Sequence, residues 1–174
     1  MEFEDQIEIT KLSKDNVHVY KLPPMSSSVG HVVDDFKDLI FRGDMKITVK
    51  GNLCVVYFLN EDKSIFLISI INENIEQFVQ EASGSTRYFT LKAMTVEGVP
   101  GIYGVVFKQR NDAFDFMGTI RQYKEKLLFE QSLKDKKEDN LSILSNTNSN
   151  NEYVIKPLIK SEEKSETKND NMKK

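Results

Sequence analysis

The chain has 174 residues, of which 39% are hydrophobic and 29% charged, which suits one soluble domain of ordinary size with a polar tail. Its net charge of −3 argues against nucleic acid as a partner, because binding to phosphates needs a clustered positive field. The single cysteine, Cys54, excludes an intrachain disulfide and a multi-cysteine zinc site. Its place in the apolar run LCVVYFL predicts a buried thiol.

No targeting or membrane segment is expected. The start, MEFEDQIEI, lacks the basic and apolar regions of a secretory signal. The longest apolar stretch, residues 65–71, is far shorter than the roughly 20 residues of a membrane span. We therefore expect the protein to reach a membrane only through another molecule.

The first quarter of the chain predicts two strands and a long connection. Residues 6–12 and 17–22 alternate apolar and polar side chains, with a Ser-Lys-Asp-Asn turn between them. Pro23-Pro24 ends the second strand, because proline cannot donate to a β ladder. Residues 25–44 are predicted to form a long connection that packs back on the domain.

An antiparallel meander is predicted next. Residues 45–50 and 53–59 read as strands, and the two-residue link Gly51-Asn52 between them indicates a hairpin. Alternation along the first of these strands places Lys46, Thr48 and Lys50 on the solvent face. A third strand at 64–71 follows another short turn.

The pattern at residues 75–80 fits a helical turn and a short strand equally well. Residues 87–94 predict a strand, residues 95–101 a turn rich in glycine and proline, and residues 102–107 a last strand.

A long amphipathic helix is predicted to follow and to continue to about residue 129. Asn111 suits the N-cap, and Asp112 places negative charge at the positive end of the helix dipole. Apolar residues then recur at helical spacing: Ala113, Phe116 or Met117, Ile120, Tyr123 or Lys124, and Leu127. We expect both Phe114 and Phe116 to pack in the core and to matter for stability.

The composition becomes strongly polar near residue 134, which divides the chain into a domain at 1–133 and a tail at 134–174. Such a tail buries too little apolar surface to offset its conformational entropy, so we expect it to be disordered. One apolar patch, residues 153–159, interrupts it and is a candidate docking segment.

The predicted fold is mainly β with one C-terminal helix. About seven mostly antiparallel strands closed by a helix match a pleckstrin-homology-like β-sandwich or barrel, with the helix packed on its open end.

No residue set supports an enzyme, a metal site or a cofactor. His18 and His31 are the only histidines, and no nucleophile elbow or phosphate-binding glycine loop is present. Asp34 and Asp35 are adjacent, so on a strand they would point to opposite faces.

Two binding functions remain. A phosphoinositide headgroup site is the alternative, but the first long loop carries Asp34 and Asp35 with only Lys37 and Arg42 to meet phosphates. Protein binding is favoured, since arginine beside aromatic residues is a common interface chemistry. The candidate binding residues are Arg87, Tyr88, Lys108, Arg110, Lys46 and Lys50.

Four segments carry a resemblance to a known family. VHVYKLPPMSSSVG, MKITVKGN, STRYFTLKAM and GVVFKQRNDAFDFMGTIRQY resemble the adaptin ear-binding coat-associated proteins, the NECAP family, over residues 8–129. The resemblance implies a pleckstrin-homology-like domain without enzymatic activity that serves clathrin-mediated vesicle formation.

The implied partners are clathrin adaptor complexes, including their phosphorylated form, and accessory proteins that carry short Phe-x-Asp-x-Phe peptides. By matching position, the resemblance selects Arg87 and Arg110, with Tyr88 beside Arg87. It implies a cytoplasmic monomer that is peripheral at clathrin-coated vesicles and the plasma membrane.

The chain departs from the family pattern in three places. It has no tryptophan and so no C-terminal Trp-x-x-Phe motif. Phe36 and Phe41 stand where the family has tryptophans in the first long loop, and Asn111 stands where it often has glycine. The mode of adaptor-ear docking that depends on Trp-x-x-Phe is therefore not expected.

Overall fold

The computed structural model describes residues 6–146, and the chain divides into two compact units between Leu128 and Phe129. The strands are β1 (Glu8–Lys21), β2 (Asp38–Lys50), β3 (Leu53–Leu59), β4 (Ile65–Ile71), β5 (Val79–Glu81), β6 (Tyr88–Thr95) and β7 (Pro100–Val106). The helices are a 3₁₀ turn (Val33–Asp35), the one-turn helix α1 (Ile75–Phe78) and the long helix α2 (Arg110–Asn146).

The strands form one antiparallel sheet that closes on itself. Its order is β4-β3-β2-β1-β7-β6-β5, and β4 also pairs with β6. This second pairing, Leu67 opposite Thr95 and Ile68 opposite Met94, turns the sheet into a barrel and leaves β5 on the margin. The predicted fold, a mainly β pleckstrin-homology-like barrel with a C-terminal helix, is confirmed.

Helix α2 packs its predicted apolar stripe on the barrel. Phe116 and Ile120 are fully buried, and the Phe116 ring lies 5.3 Å from that of Phe89 and 5.0 Å from that of Phe107. Three turns into the helix, the Tyr123 hydroxyl donates to the carbonyls of Asn52 (2.7 Å) and Ile71 (3.2 Å). The helix is therefore fixed at two places on the barrel.

The N-terminal region forms one strand rather than the predicted two. The turn-like residues Ser-Lys-Asp-Asn lie inside β1, where the pairing with β2 shifts register between Lys14 and Val17. Asn16 has a φ of 52°, a left-handed conformation that asparagine tolerates better than most residues. The sequence therefore predicted the position of a break in regular pairing, but the break is a β-bulge within one strand and not a turn between two.

The long connection predicted at 25–44 is also shorter than expected. Strand β2 begins at Asp38, because residues 38–44 continue the pairing with β1 through Val19 opposite Phe41 and Lys21 opposite Asp38. The ambiguous residues 75–80 contain both structures, since α1 is followed directly by β5.

Helix α2 begins earlier and ends later than predicted. Asn111 lies inside its first turn rather than at the N-cap, and the amide of Ala113 donates to the carbonyl of Gln109. Residues 134–146 are helical, although we expected disorder from residue 134; they are rich in good helix formers. The apolar patch at 153–159 lies outside the described residues.

Candidate functional site

An open groove of about 350 Å³ runs between α2 and the β5–β6 connection, and we call it the α2 groove. Its lining comprises Glu81, Thr86, Phe89, Arg110, Ala113, Phe114, Met117 and Arg121. It therefore joins residues that are distant in sequence.

One wall of the groove is a stripe of α2. Arg110, Phe114, Met117 and Arg121 are spaced by four, three and four residues, so they share one helix face. Phe114 is 74% exposed, Met117 is half-buried, and both arginines are exposed. The wall thus presents an apolar centre between two cations.

The floor of the groove is rigid. Phe89 and Ala113 are each 1% exposed, and the Phe89 ring packs against Phe107 and Phe116 in the core. A ligand in the groove would rest on core residues that cannot yield without disturbing the barrel.

The exposure of Phe114 corrects the prediction that both phenylalanines of Phe-Asp-Phe are buried. Phe116 is in the core, but Phe114 is rotated away from it by two helical steps of about 100° each. Phe114 thus forms an exposed apolar position in the groove, beside the buried Phe89 and Ala113.

Arg87 fixes the entry to the helix. Its Nη1 donates to the carbonyl of Lys108 at 2.9 Å, and its own carbonyl accepts from the amide of Phe107 at 3.1 Å. Both contacts hold the segment between β7 and α2, which places Arg110. The structure therefore gives Arg87 a positioning contact next to the groove.

The groove has an excess of positive charge. Among the described residues, neither Arg110 nor Arg121 forms an ion pair with a carboxylate. The acidic side chains of the first helical turns, Asp112 and Asp115, are taken by Lys14 at 3.0 and 2.7 Å. Glu81 is the one acidic side chain in the lining.

The two ion pairs of Lys14 also affect its pKa. Hydrogen bonds to Asp115 and then Asp112 raise the pKa of Lys14 above its usual value. Lys14 thus joins β1 to the first turns of α2 through both carboxylates.

Two predicted site residues face other surroundings. The Tyr88 ring packs edge-on against Phe36 at 5.0 Å, in a small cluster with Ala82 and Val106 that is separate from the main core. Lys108 is exposed and lies near His18. The pKa of His18 is lowered mainly by burial, and further by the positive charges of Arg42 and Lys108. Neither residue lines the α2 groove.

Lys46 and Lys50 lie on β2 and do not line the α2 groove. Their neighbour Thr48 is 1% exposed rather than on a solvent face, because its hydroxyl donates to Oε1 of Glu8 at 2.7 Å. Lys46 and Lys50 are half-buried, and Lys46 borders a different depression with Glu8, Asp44 and Lys63. The predicted solvent face is therefore partly covered.

Of the eight residues that line the groove, only Arg110 was predicted as a site residue, and three of those missed lie with it on one helix stripe: Phe114, Met117 and Arg121. The signal was present, since Arg110, Phe114, Met117 and Arg121 repeat at helical spacing beside the buried stripe. The facing wall, Glu81 and Thr86, carried no signal, because only the tertiary fold brings it to the helix.

The first long loop gives little support to a phosphoinositide site. A depression of about 530 Å³ there is bordered by Asp34, Asp35 and Asp38 with Lys21 and Lys37. Three carboxylates would repel a phosphorylated headgroup. His31 is buried nearby, with its Nε2 2.9 Å from the carbonyl of Pro23, and it holds the loop in place.

In the part of the chain that the structure describes, no three His, Cys, Asp or Glu side chains gather where a metal ion could bind. None of the helices described there has both the length and the apolarity needed to cross a bilayer.

The fold and the groove together define a class: a pleckstrin-homology-like barrel whose C-terminal helix carries an amphipathic groove. The chain belongs to the family described as "Protein of unknown function (DUF1681)", the NECAP domain family, whose model matches residues 7–172.

Similar proteins are adaptin ear-binding coat-associated proteins. The chain is 30% identical over 115 residues to adaptin ear-binding coat-associated protein 1 of Bos taurus. The aligned residues make up 63% of this chain and 41% of that protein. It is 29% identical over 125 residues to adaptin ear-binding coat-associated protein 2 of Rattus norvegicus. Here the aligned residues make up 69% of this chain and 47% of that protein. The chain thus spans less than half the length of these relatives, and the NECAP resemblance is confirmed.

Proposed function

We propose that this chain is a non-enzymatic adaptor or accessory protein of clathrin-coated vesicle formation in endocytosis. In this proposal the barrel domain binds clathrin adaptor complexes and short Phe-x-Asp-x-Phe peptides of accessory proteins. The names of the similar proteins support the process, and the α2 groove supports the mode of binding.

The observation that carries the proposal is the exposed Phe114 ring between Arg110 and Arg121, neither of which has a carboxylate partner among the described residues. Aromatic side chains prefer offset or edge-on contact with another ring, which Phe114 offers over an apolar floor. A peptide carboxylate can accept two hydrogen bonds from one guanidinium, which Arg110 or Arg121 can supply.

The predicted residues take different parts in this proposal. Arg110 contacts the ligand, and Arg87 positions the segment that carries Arg110. The other predicted residues lie outside the groove and would contact only a partner larger than a short peptide: Tyr88, Lys108, Lys46 and Lys50.

The cellular setting belongs to the same proposal. The protein would be a cytoplasmic monomer, recruited to clathrin-coated vesicles or the plasma membrane by the coat. The division into a binding domain at 1–133 and a tail at 134–174 remains part of the proposal.

A peptide capture experiment with the full chain tests the proposal. Immobilised Phe-x-Asp-x-Phe peptide should retain the protein, and a peptide with both phenylalanines replaced by alanine should not. Phe114→Ala and Arg110→Glu should each abolish retention, whereas Lys46→Glu makes the same charge change as the latter outside the groove and should preserve it. Equal retention of all variants would contradict the groove as the site.

Adaptor subunits are the second test. The tagged chain should retain clathrin adaptor complexes from a cell extract, and liposomes that contain phosphoinositides should not float it. Saturable flotation that depends on Lys46 and Lys50, without adaptor capture, would favour the alternative lipid function.

A further inference from the structure

Three basic side chains lie close together on the outer face of the barrel, and we call them the His18 face: His18, Arg42 and Lys108. His18 on β1 is directly opposite Arg42 on β2, and on its other side it is opposite Val106 on β7. Residues that are directly opposite project from the same face of a sheet, with Cβ atoms about 4.5–5.5 Å apart. Both neighbours of His18 along β1 are buried valines, so His18 and Arg42 project outwards.

Lys108 adds the third basic group, just beyond the end of β7. It follows Val106 by two residues, with the buried Phe107 between them, so it is exposed on the outer side. Its backbone is held in place, because its carbonyl accepts from Nη1 of Arg87 at 2.9 Å. The carbonyl of Arg87 in turn accepts from the amide of Phe107 at 3.1 Å. Lys108 and Arg42 thus approach the half-buried imidazole from its two neighbouring strands.

The positive charge of the His18 face is not balanced by nearby acids. Burial, and then the charges of Arg42 and Lys108, lower the pKa of His18, and no carboxylate acts on it. Within the described part of the chain, none of the three residues forms an ion pair. Like charges opposite each other on a sheet are unfavourable, so a ligand that supplies negative charge would relieve this arrangement.

Acidic residues limit the size of the face. Asp44 follows Arg42 by two residues and is paired with Lys63, and Asp112 follows Lys108 by four residues and is paired with Lys14. A long polyanion or a charged membrane surface would meet these carboxylates as well as the basic groups. The His18 face therefore suits a short acidic segment better than an extended negative surface.

We propose that the His18 face binds a short acidic segment of a protein partner through carboxylates that meet Arg42, Lys108 and His18. A guanidinium can donate two parallel hydrogen bonds to one carboxylate, which makes Arg42 the strongest single contact. None of the three residues lines the α2 groove, so this is a second binding site that does not depend on the groove.

Proton uptake by His18 distinguishes this site from general charge attraction. The lowered pKa leaves the imidazole mainly neutral at neutral pH. Carboxylates bound beside it favour the imidazolium form and raise that pKa, so binding takes up a proton and tightens as the pH falls. Arg42 and Lys108, the charged groups that act on His18 from the adjacent strands, stay protonated over this range.

A fluorescent peptide with a short run of glutamates in a Gly/Ser background tests the site on the full chain. It should bind, and the same peptide with glutamine in place of glutamate should not. Arg42→Gln and Lys108→Gln should each weaken binding about two- to five-fold, as expected for the loss of one exposed ion pair. Lys46→Gln makes the same charge change as Lys108→Gln outside the His18 face and should leave Kd unchanged.

The pH dependence is the second readout. The wild type should bind the glutamate peptide about two- to four-fold tighter near pH 6 than near pH 8, a range in which glutamate stays ionised. His18→Gln should lose this dependence. His31 is present in both proteins, so its titration cancels in the comparison.

Several results would overturn the site: no binding by the wild type, equal weakening in Lys46→Gln, a loss confined to Arg110→Gln, or a pH dependence that survives His18→Gln. Anionic liposomes that float the wild type but not Arg42→Gln, without binding of the glutamate peptide, would also overturn it in favour of a membrane contact. Immobilised Phe-x-Asp-x-Phe peptide should retain Arg42→Gln and Lys108→Gln as it retains the wild type. Failure of the His18 face would therefore leave the proposed function of the α2 groove standing.

Discussion

Phe114 and Phe116 show how two residues in one short motif come to lie in different environments. Phe116 is fully buried between Phe89 and Phe107, whereas Phe114 is 74% exposed in the α2 groove. The two residues lie about 200° apart around the helix, so a core on one face can accept only one of them. The expectation that both are buried overlooked this separation. Their identical chemistry makes them a matched pair for experiments.

Replacement by alanine should destabilise the protein far more at Phe116 than at Phe114. Phe116→Ala should lower the free energy of unfolding by about 3–5 kcal/mol, because it leaves a cavity in the core. Phe114→Ala should change it by less than about 0.5 kcal/mol, as for most exposed positions. Urea unfolding followed by circular dichroism measures both, and equal losses would contradict the placement of Phe114.

Cys54 provides a pH test of the core. Burial raises the pKa of its thiol from 9.0 to about 12. Between these pH values the unfolded chain releases the proton while the folded chain keeps it, so the free energy of unfolding falls as pH rises. The wild type should therefore lose more stability than Cys54→Ala between about pH 9 and pH 12.

The control is built into that comparison. Lys14 and Tyr57, whose pKa values are also raised, are present in both proteins and cancel in the difference. Parallel stability curves for the two proteins over this range would show that the thiol is not buried as described.

At the scale of elements, the long helix α2 was predicted from the sequence, although its bounds and the groove beside it were not. Its buried stripe was predicted correctly from periodicity: Ala113, Phe116, Ile120 and Tyr123 are all buried. Its second stripe became a groove only because β5 and β6 face it. The bulge at Asn16 was misread for a related reason, since turn chemistry in the sequence does not reveal that β2 continues alongside.

The anchor at Tyr123 should hold the middle of α2 on the barrel. Tyr123→Phe removes the hydroxyl that donates to Asn52 and Ile71, and leaves two buried or partly buried carbonyls short of a donor. We expect a loss of about 1–2 kcal/mol in the free energy of unfolding. Hydrogen exchange should show faster opening of α2 around residue 123, and Gln122→Ala, an exposed neighbour, serves as the control.

An unchanged exchange rate in Tyr123→Phe would place the anchoring of the helix elsewhere. The Lys124–Glu76 ion pair between α2 and α1 is then the next contact to remove. As an exposed pair it should contribute less than the buried hydroxyl.

For the whole molecule, the net charge of −3 conceals a local excess of positive charge in the α2 groove. Composition argued against nucleic acid, but it gave no indication of this local charge. The fold class could be predicted from the number of strands and the single long helix. The groove could not, because only the tertiary fold brings Glu81 and Thr86 next to α2. Four of the six predicted binding residues, Tyr88, Lys108, Lys46 and Lys50, lie outside the groove, because the fold places them on other surfaces than the helix face that carries Arg110.

The central claim is that the α2 groove is the peptide-binding site, and backbone NMR of the full chain tests it most directly. Addition of a Phe-x-Asp-x-Phe peptide should shift the amide signals of Glu81, of residues 86–89 and of residues 110–121. Phe114→Ala should abolish these shifts while the remaining spectrum stays that of the folded protein. Shifts centred instead on residues 34–38 in the first loop, or on Lys46 and Lys63, would contradict the account.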